Sequence, residues 1–499
     1  MKVAIRVDAS ASIGSGHMAR CLCIADLLRA RGAEIHFLCL EVPQHLAEHI
    51  DSQNYGLTVL PPSLVFAQTA PQAPWSAHRQ CDDANFSISA LANSEWDWLI
   101  VDHYGLDYLW EMQLIRSAKR LMAIDDLGRQ HTCDLLLDQN LQADPASRYE
   151  ASTVGKKLLG PHYALLRPEF AVAREQAKPR DGAVKRLHVF MGGMDADNAT
   201  AKMLRAIDRL QRPNIQLDVV IGVAHPARDA IKSYCDARPG TSCHIQVSNM
   251  AELLVHADLA VGAGGSATWE RCALGVPTFA VQLAQNQHDL LSVGARRGVL
   301  YTTDGALEEE NLAMHLGALL DNTGLRNHIS REAYKLVDGH GARRVVAELM
   351  TRAVSVRVAT PADSDSVYAW RNADTVRAVS HQTAPIAYRT HQLWFDAVLG
   401  DEKRHLLIGE QDGSAAGVVR FDIDDARAEV SIYLRDERRG ELLGKQLLSA
   451  AETWLAKSQP QVTTVLAQTL GDNQYAQRLF IDGGYTHDTS GFSKRVSEA

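Results

Sequence analysis

The chain has 499 residues, which is too long for a single hydrophobic core and indicates about three domains. Hydrophobic residues make up 46% and charged residues 22% of the chain, as is typical of a globular protein, and this composition argues against large-scale disorder. The formal net charge of -9 argues against nucleic acid or an anionic membrane as the main partner, whereas anionic small molecules are compatible with it.

The first predicted unit consists of a strand, a glycine turn and a helix. The strand covers Val3 to Val7, the turn is Gly14-Ser15-Gly16-His17, and the helix runs from His17 to about Ala30. Such a turn can approach a phosphorylated ligand. An imidazole at a helix N-terminus lies where the dipole disfavours its protonated form, so His17 is a candidate general base. The alternative is that the glycines only turn the chain and that His17 is a solvated cap.

Three short apolar segments further along the chain end in polar residues. We predict strands over 98–101, 121–124 and 135–137, which lead into Asp102-His103-Tyr104-Gly105, Asp125-Asp126 and Asp138-Gln139-Asn140. Parallel sheets collect functional groups at the carboxyl ends of their strands. Aspartates also end strands simply as turn residues, so the roles of Asp125, Asp126 and Asp138 stay open. Tyr104, between a histidine and a glycine, is the stronger site candidate.

A second α/β block begins near Lys185 and repeats the pattern. Its predicted strands cover 187–190, 217–221 and 259–261, and the last of these leads into Gly262-Ala263-Gly264-Gly265-Ser266 and a helix over 267–274. The glycines expose backbone amides to an anion, and Ser266 is expected to cap the helix. A purely structural turn is the alternative, but this run of glycines ahead of a serine favours diphosphate binding.

Two further groups of side chains belong to this second turn. Glu270, one helical turn on, is placed to accept hydrogen bonds from a ribose diol. Gln285-Asn286-Gln287 follows a predicted strand over 278–281 and is expected to line the same crevice. Two α/β blocks of comparable size, each with a glycine turn, predict one active site in the cleft between two doubly wound, Rossmann-like domains.

The pattern changes near 338–341, and the chain from about residue 354 is predicted to be an independent α+β unit. A strand starts near Val356, a helix runs through Trp370-Arg371-Asn372, and strands follow at 405–409, 417–421 and 428–434. The segment from Arg439 to Lys445 then enters a helix whose backbone amides can bind a pyrophosphate.

The motifs of residues 1 to 350, taken together, resemble one family. They are Ile13-Gly14-Ser15-Gly16-His17 with Arg20-Cys21, Asp102-His103-Tyr104, Ile124-Asp125-Asp126-Leu127, Asp138-Gln139-Asn140, and Gly262 to Ser266 with Trp269-Glu270. They look like the UDP-sugar hydrolases of pseudaminic acid biosynthesis, which share the two-domain GT-B fold of the glycosyltransferase that adds N-acetylglucosamine in peptidoglycan synthesis. The resemblance implies hydrolysis of UDP-2,4-diacetamido-2,4,6-trideoxy-β-L-altropyranose to UDP and the free sugar, with inversion. The sequence shows no metal-ligand cluster, and we expect that this chemistry needs no metal.

The same resemblance implies roles for individual residues. His17 becomes the base that activates water, and Tyr104 lies near the sugar. UDP is a tolerable leaving group when amides stabilise its developing charge, so only the water needs activation. The remaining candidate substrate-binding residues are Gly14, Gly16, Arg20, Gly264, Gly265, Ser266, Glu270, Asn286 and Gln287.

The last unit resembles the GNAT acetyltransferases over residues 354 to 499. This resemblance implies acetyl-CoA as co-substrate, with candidate contacts at Arg439, Gly440, Gly444, Lys445 and Asn473. Two positions depart from the family pattern: Leu442 replaces the middle glycine of the pyrophosphate loop, and Phe480 stands where a tyrosine often protonates the leaving thiolate. Tyr475 is an alternative proton donor. Glu429 is the candidate base, and an exposed strand carboxylate without a catalytic role is its alternative.

The predicted fold class is therefore α/β, with two doubly wound Rossmann-like domains (GT-B) over 1–175 and 176–353, followed by an α+β GNAT domain over 354–499. A GNAT enzyme of the same pathway acetylates UDP-4-amino-4,6-dideoxy-β-L-N-acetylaltrosamine, and its product is the hydrolase substrate, so we expect a bifunctional enzyme. The alternatives are a GT-B glycosyltransferase and a non-catalytic nucleotide-sugar binding module attached to an acetyltransferase. The oligomeric state stays open.

The expected location is cytoplasmic. All eight cysteines lie before residue 273 and none forms a Cys-x-x-Cys pair, which indicates reduced thiols. Met1 leads straight into a strand, so we expect no signal peptide, and no apolar run approaches the length of a membrane span. The expected partners are the UDP-sugar and acetyl-CoA, with neither nucleic acid nor membrane.

Overall fold

A computed structural model describes residues 1–10, 13–61, 73–145, 147–303, 307–351, 354–380, 382–411, 414–435, 443–469, 473–488 and 491–495. The chain divides into two units, Met1–Leu349 and Met350–Ala499. In the described residues, the first unit carries two parallel sheets and the second unit carries a mixed sheet.

The first sheet is parallel throughout its described pairs. Its strands are β1 (Lys2–Val7), β2 (Glu34–Cys39), β3 (Gly56–Val59), β4 (Trp98–Asp102), β5 (Arg120–Ile124), β6 (Thr132–Asp138) and β7 (Thr153–Leu159). They pair in the order β3-β2-β1-β4-β5-β6-β7. The helices of this part are α1 (Gly16–Arg29), α2 (Gln44–Ser52), α3 (Ala77–Leu91), α4 (Tyr108–Leu114) and α5 (Pro168–Arg174). Every residue of β4 is buried, as expected for a strand covered on both faces.

The sequence patterns left two parts of this sheet unassigned. The stretch from about 41 to 94 contains α2, β3 and α3. Strand β7 was also missed, because it lies at the sheet edge, exposes much of its length and carries Lys156 and Lys157, so it shows no apolar run.

The second sheet is also parallel. Its strands are β8 (Arg186–Phe190), β9 (Gln216–Ile221), β10 (Thr241–Ile245), β11 (Leu259–Ala263), β12 (Thr278–Val281) and β13 (Tyr301–Thr302), in the order β10-β9-β8-β11-β12-β13. Its helices are α6 (Ala199–Arg209), α7 (Arg228–Ala237), α8 (Met250–Val255), α9 (Ala267–Ala273), α10 (His288–Arg296), α11 (Glu309–Asp321), α12 (Thr323–Leu336) and α13 (Gly341–Met350). Short 3-10 helices of the first unit cover Ser147–Tyr149, Pro161–Tyr163 and Gln285–Gln287.

Strand β11 shows how this sheet is covered on both faces. Leu259 and Val261 pack into one hydrophobic cluster, whereas Ala260 between them packs into another. Successive side chains of a strand point to opposite faces, so the two clusters lie on opposite sides of the sheet. The sheet is therefore doubly wound.

The second unit has a mixed sheet. Its strands are β14 (Ser355–Val358), β15 (Arg404–Gln411), β16 (Ser414–Asp424), β17 (Arg427–Leu434), β18 (Thr464–Ala467), β19 (Thr486–Asp488) and β20 (Gly491–Arg495), in the order β14-β15-β16-β17-β18-β20-β19. The pair β17–β18 is parallel and the other pairs are antiparallel. The helices are α14 (Ser364–Arg371), α15 (Asp374–Arg377), α16 (Tyr388–Leu399), α17 (Leu443–Ser458) and α18 (Gln474–Asp482), and a 3-10 turn covers Pro361–Asp363.

The predicted fold class is confirmed. Two doubly wound, Rossmann-like sheets are followed by an α+β unit. Among the described residues, every helix is too short or too polar to span a membrane.

Candidate active site

The carboxyl ends of neighbouring strands bring polar side chains together at one edge of the first sheet. Strand β4 lies between β1 and β5, and β5 lies beside β6. The segments that follow these strands are therefore neighbours in space, although they are far apart in the chain. Helix α1 begins directly after the turn that follows β1, which brings His17 to the end of β4.

His17, in the first turn of α1, forms a short hydrogen bond with Asp102 at the end of β4. Its Nδ1 lies 2.5 Å from Oδ1 of Asp102, and the same carboxylate accepts two hydrogen bonds of 2.6 Å from the Arg20 guanidinium. The three-residue spacing of His17 and Arg20 places both side chains on one face of the helix. All three side chains are buried.

This arrangement determines which nitrogen of a neutral His17 carries the hydrogen. A carboxylate only accepts, so Nδ1 donates to Asp102 and Nε2 keeps its lone pair. Nη2 of Arg20 lies 3.1 Å from the same Nδ1 and, being a donor itself, cannot take that hydrogen. Nε2 is therefore the acceptor, as a general base requires.

Asp102 is an ionised carboxylate in a buried position. Burial opposes its ionisation, but the Arg20 guanidinium and His17 hold the pKa of the Asp102 carboxyl well below its usual range. Nη1 of Arg20 lies 3.1 Å from Oδ2 of Asp126. Two carboxylates thus bind the guanidinium of Arg20, and Arg20 in turn positions Asp102. The contact of Arg20 with substrate stays a prediction.

Tyr104 connects His17 to the second sheet. Its ring packs edge-on against the imidazole, with the centroids 4.4 Å apart, and its hydroxyl accepts a hydrogen bond of 3.0 Å from the Asn286 amide. Burial, together with the nearby Asp126 carboxylate, raises the pKa of Tyr104 well above its usual value. The side chain is therefore a neutral phenol beside the candidate base.

The three aspartates whose roles the sequence left open differ in their surroundings. Oδ2 of Asp125 acts as a turn acceptor, bonded to the backbone N–H groups of Leu127, Gly128 and Arg129. Asp126 contacts Arg20. Asp138 is buried, which raises the pKa of its carboxyl to about 7 although Nε of Arg148 lies 3.2 Å away.

In the glycine turn of the second sheet, Gly264 is structural whereas Gly265 borders open space. The amide of Gly264 donates to the Val281 carbonyl, and a Cβ on Gly264 would lie 2.7 Å from the Leu291 side chain. A Cβ on Gly265 would meet only Nε2 of Gln287, at 4.0 Å. In the described part of the chain, the N–H groups of Gly265 and Ser266 donate no backbone hydrogen bond, so both are available to an anion.

The expectation that Ser266 caps α9 is wrong. Ser266 stands before the helix but has helical φ and ψ of -54° and -30°, and its hydroxyl makes no capping hydrogen bond. A capping serine needs an extended backbone to fold its side chain over the first turn. The Ser266 hydroxyl instead accepts a hydrogen bond of 3.4 Å from the Gln139 amide.

Among the described residues, hydrogen bonds between side chains join the edges of the two sheets. Besides the bonds from Gln139 to Ser266 and from Asn286 to Tyr104, Nε1 of Trp269 donates to the Asn140 side chain at 3.3 Å. The motifs that the sequence analysis singled out in the two α/β blocks thus face each other. Gly14 and Gly16 also border open space, since a Cβ on either would have no atom within 4 Å.

A cavity of about 270 Å³ lies between these two edges. It is lined by Asp126, Leu127, Asn140, Gln142, Arg148, Gln285, Asn286, His288, Asp289 and Leu290. His17 is not in its wall, but Asp126 contacts Arg20 and Asn286 contacts Tyr104, so the cavity adjoins the His17 pair. No group of three or more His, Cys, Asp or Glu side chains in the described ranges is arranged to hold a metal ion.

Glu270 in α9 and Gln287 in the 3-10 turn over 285–287 are not among the residues that line this cavity. Burial raises the pKa of the Glu270 carboxyl, while Arg167 and Arg271 act in the opposite direction. The Gln287 side chain accepts a hydrogen bond of 2.8 Å from the Leu283 amide, which stabilises the loop that contains both residues.

Sequence reasoning missed two contributors to the cleft. A Cβ on Gly193 would lie 3.4 Å from the Ser15 hydroxyl, so the turn Met191-Gly192-Gly193 after β8 meets the first glycine turn. A glycine pair after an apolar strand was a visible sign of this role. Arg148 lines the cavity from a short 3-10 turn and had no local pattern to mark it.

In the second unit, the predicted cofactor loop is only partly described. Arg439, Gly440 and Leu442 lie outside the described residues, as does the Tyr475 side chain. Gly444 and Lys445 lie in the first turn of α17. The Asn473 side chain accepts a hydrogen bond of 3.1 Å from the Ala476 amide and thereby caps α18. Phe480 is buried.

Strand β17 carries the candidate base and, after Val430, a backbone edge that pairs with no strand among the described residues. Glu429 is exposed and lies opposite Asp422 of β16. The described pairing with β18 covers Arg427 to Val430, whereas Ser431 to Leu434 pair with β16 alone. An open strand edge of this kind can bond to the amides of an extended ligand.

Comparisons with known proteins identify one matching family and several relatives. Residues 364–483 match the acetyltransferase (GNAT) family. The UDP-2,4-diacetamido-2,4,6-trideoxy-beta-L-altropyranose hydrolase of Campylobacter jejuni is 24% identical over 302 residues, which cover 60% of this chain and 97% of that protein. The spore coat polysaccharide biosynthesis protein SpsG of Bacillus subtilis is 26% identical over 271 residues, 53% of this chain and 79% of the relative. The crystal structure of Acinetobacter baumannii MurG is 14% identical, with a TM-score of 0.47, and the match covers 70% of this chain and 98% of that one.

The chain thus combines a nucleotide-sugar hydrolase-like GT-B unit with a GNAT acetyltransferase domain. More particularly, it is a homologue of the Campylobacter hydrolase with a GNAT domain added at the C-terminal side. The resemblances predicted from the motifs are confirmed.

Proposed function

We propose that the first unit hydrolyses UDP-2,4-diacetamido-2,4,6-trideoxy-β-L-altropyranose to UDP and the free sugar. This sugar nucleotide is the one in the name of the Campylobacter relative. One observation carries the proposal: the His17–Asp102 pair adjoins a cavity between the edges of the two sheets, and hydrogen bonds between motif residues, including those of Ser266 and Trp269, join these edges.

The chemistry needs one activated water and a stabilised leaving group. Nε2 of His17 takes a proton from the water as its oxygen attacks C1 of the sugar, and Asp102 stabilises the imidazolium that forms. The bond between C1 and the phosphate oxygen breaks, its electron pair leaves with UDP, and the configuration at C1 inverts. The N–H groups of Gly265 and Ser266 offset the negative charge on the diphosphate, and Glu270 accepts hydrogen bonds from the ribose.

Release of UDP without an acceptor tests this proposal. Purified full-length protein is expected to convert the UDP-sugar to equal amounts of UDP and free sugar in buffer alone, and NMR of the fresh product should show the inverted anomer. A GT-B glycosyltransferase would need an added alcohol, and a non-catalytic binding module would retain the UDP-sugar intact. Either result would contradict the hydrolase.

The second unit is proposed to acetylate the 4-amino group of UDP-4-amino-4,6-dideoxy-β-L-N-acetylaltrosamine with acetyl-CoA. The match to the GNAT family supports acetyl transfer, and the open edge of β17 offers backbone groups to the amides of the pantetheine arm. The amine nitrogen attacks the thioester carbonyl, the C–S bond breaks, and the amine proton ends on the CoA thiol. Glu429 is the candidate base for that proton.

The acetyl transfer predicts thiol release that depends on the amino sugar. With acetyl-CoA and the 4-amino UDP-sugar, the full chain should release CoA thiol and, in the same tube, go on to release UDP. Omitting the amino sugar should abolish both products. Thiol release that is absent with every component present would contradict the acetyltransferase role and leave the hydrolase proposal untouched. Because one chain carries both units, the product of the acetyltransferase is released at a raised local concentration of hydrolase sites.

A further inference from the structure

Arg271 is a buried cation next to the glycine turn of the second sheet. Its side chain in α9 is 1% exposed. Nη2 donates to the Ala263 carbonyl at 2.7 Å and to the Thr268 hydroxyl at 3.1 Å, while Nε has no hydrogen-bond partner. Arg271 takes part in none of the ion pairs between described residues, so no carboxylate neutralises it by contact.

The guanidinium lies where β11 ends and the turn begins. A Cβ on Gly262 would lie 2.6 Å from its Nη1, so Gly262 is a glycine partly because the guanidinium fills that space. Ala263, whose carbonyl the guanidinium holds, directly precedes Gly264. The charge is therefore separated from the open N–H groups of Gly265 and Ser266 by little more than the Ala263–Gly264 backbone.

Arg271 keeps its charge at neutral pH. Burial lowers the pKa of Arg271 to about 10, which still leaves it protonated. Its neighbour His188 on β8 is neutral and adds no second positive charge, because burial, helped by Arg271, lowers the pKa of His188 to about 3. Glu270, next to it in the chain, is the acid that attracts it, at a distance longer than an ion pair. A buried cation without a contacting anion disfavours folding, and an anion bound nearby would remove that penalty.

We propose that Arg271 is an electrostatic positioning residue for a bound nucleoside diphosphate. Its charge acts through the turn backbone on phosphates held at Gly265 and Ser266, without touching them. The inference rests on the proposed binding of UDP by this turn. It implies that the contribution of Arg271 to affinity increases with the negative charge of the ligand and does not depend on the uridine base.

The test is the affinity of Arg271→Met for uridine, UMP and UDP, measured by titration calorimetry on the full chain. We expect UDP binding to weaken about tenfold, uridine binding to change by less than about twofold, and UMP to fall between them, because the lost interaction grows with ligand charge. The midpoint of thermal unfolding should stay equal or rise, because an unpaired buried charge is replaced by an apolar chain of similar length.

Arg326→Met is the matched control. Arg326 is equally buried, but its guanidinium donates to the carbonyls of Leu319 and Leu320, at 2.6 and 2.7 Å, whereas that of Arg271 donates to Ala263 in the glycine turn. This variant should leave the affinities for uridine, UMP and UDP unchanged. Arg271→Lys should retain most of the preference for UDP and Arg271→Gln should lose it, and this second pair decides the question if Arg271→Met does not fold.

Two results would overturn the inference alone. The first is unchanged affinity of Arg271→Met for UDP. The second is an equal loss of affinity for uridine and UDP, which would mean that Arg271 merely supports the turn. A wild-type chain that binds uridine and UDP equally would instead contradict the proposed diphosphate site, and Arg271 would lose its role with it.

Discussion

Replacing His17 with alanine is expected to slow UDP release about 10³-fold, because a positioned general base contributes on the order of 10² to 10⁴ in rate. The affinity for UDP should change by less than about threefold, since the proposed diphosphate contacts belong to the opposite wall of the cleft. Steady-state assays of UDP release and calorimetric titration with UDP measure the two quantities. The combination of lost turnover and kept binding distinguishes a base from a residue that only shapes the cleft.

His45→Ala is the control for this variant. His45 is an exposed histidine of α2, so its loss removes an imidazole without touching the cleft. UDP release should match that of the unaltered protein. Turnover that survives in His17→Ala would remove His17 from the proposed chemistry, whereas a parallel loss of UDP affinity would assign it to binding.

The local part of the site could be predicted from the sequence because its marks are local. Glycine turns between a strand and a helix, and polar residues directly after apolar strands, identified His17, Tyr104 and the 264–270 turn. The contact between His17 and Asp102 depends on the strand order. Because β4 pairs with β1, Asp102 meets His17, which is 85 positions away in the chain. That pairing follows from a long-range crossover, which no local pattern contains.

Features that depend on tertiary packing escaped prediction. Arg20 belongs to a family motif, but its use as a partner of Asp102 and Asp126 became visible only when three strands were side by side. Ser266 occupies a capping position by sequence, yet its backbone conformation directs it to Gln139 on the other sheet. Arg271 directly follows Glu270, the last residue of the motif. Its unpaired charge becomes apparent only because the structure shows that it is buried.

Asp102→Asn is the second change with a large expected effect, and it should slow UDP release about 10² to 10³-fold. Both oxygens of Asp102 accept from donors: Oδ1 from His17 and Arg20, and Oδ2 from Arg20. An asparagine must therefore turn its NH₂ group toward a donor in either orientation. Where that group faces Nδ1, it stabilises the tautomer with the hydrogen on Nε2, which cannot accept a proton from water.

A double-mutant comparison separates this effect from general damage. If Asp102 acts through His17, the variant with both Asp102→Asn and His17→Ala should be no slower than His17→Ala alone. Asp8→Asn is the matched control, because Asp8 is also a buried carboxylate held by an arginine, with Nη1 of Arg6 at 2.6 Å and Nε2 of His103 at 3.2 Å. Both aspartate variants should lower the unfolding midpoint, whereas only Asp102→Asn should share its rate loss with His17. Rate losses that multiply in the double variant would mean that Asp102 contributes independently of the imidazole.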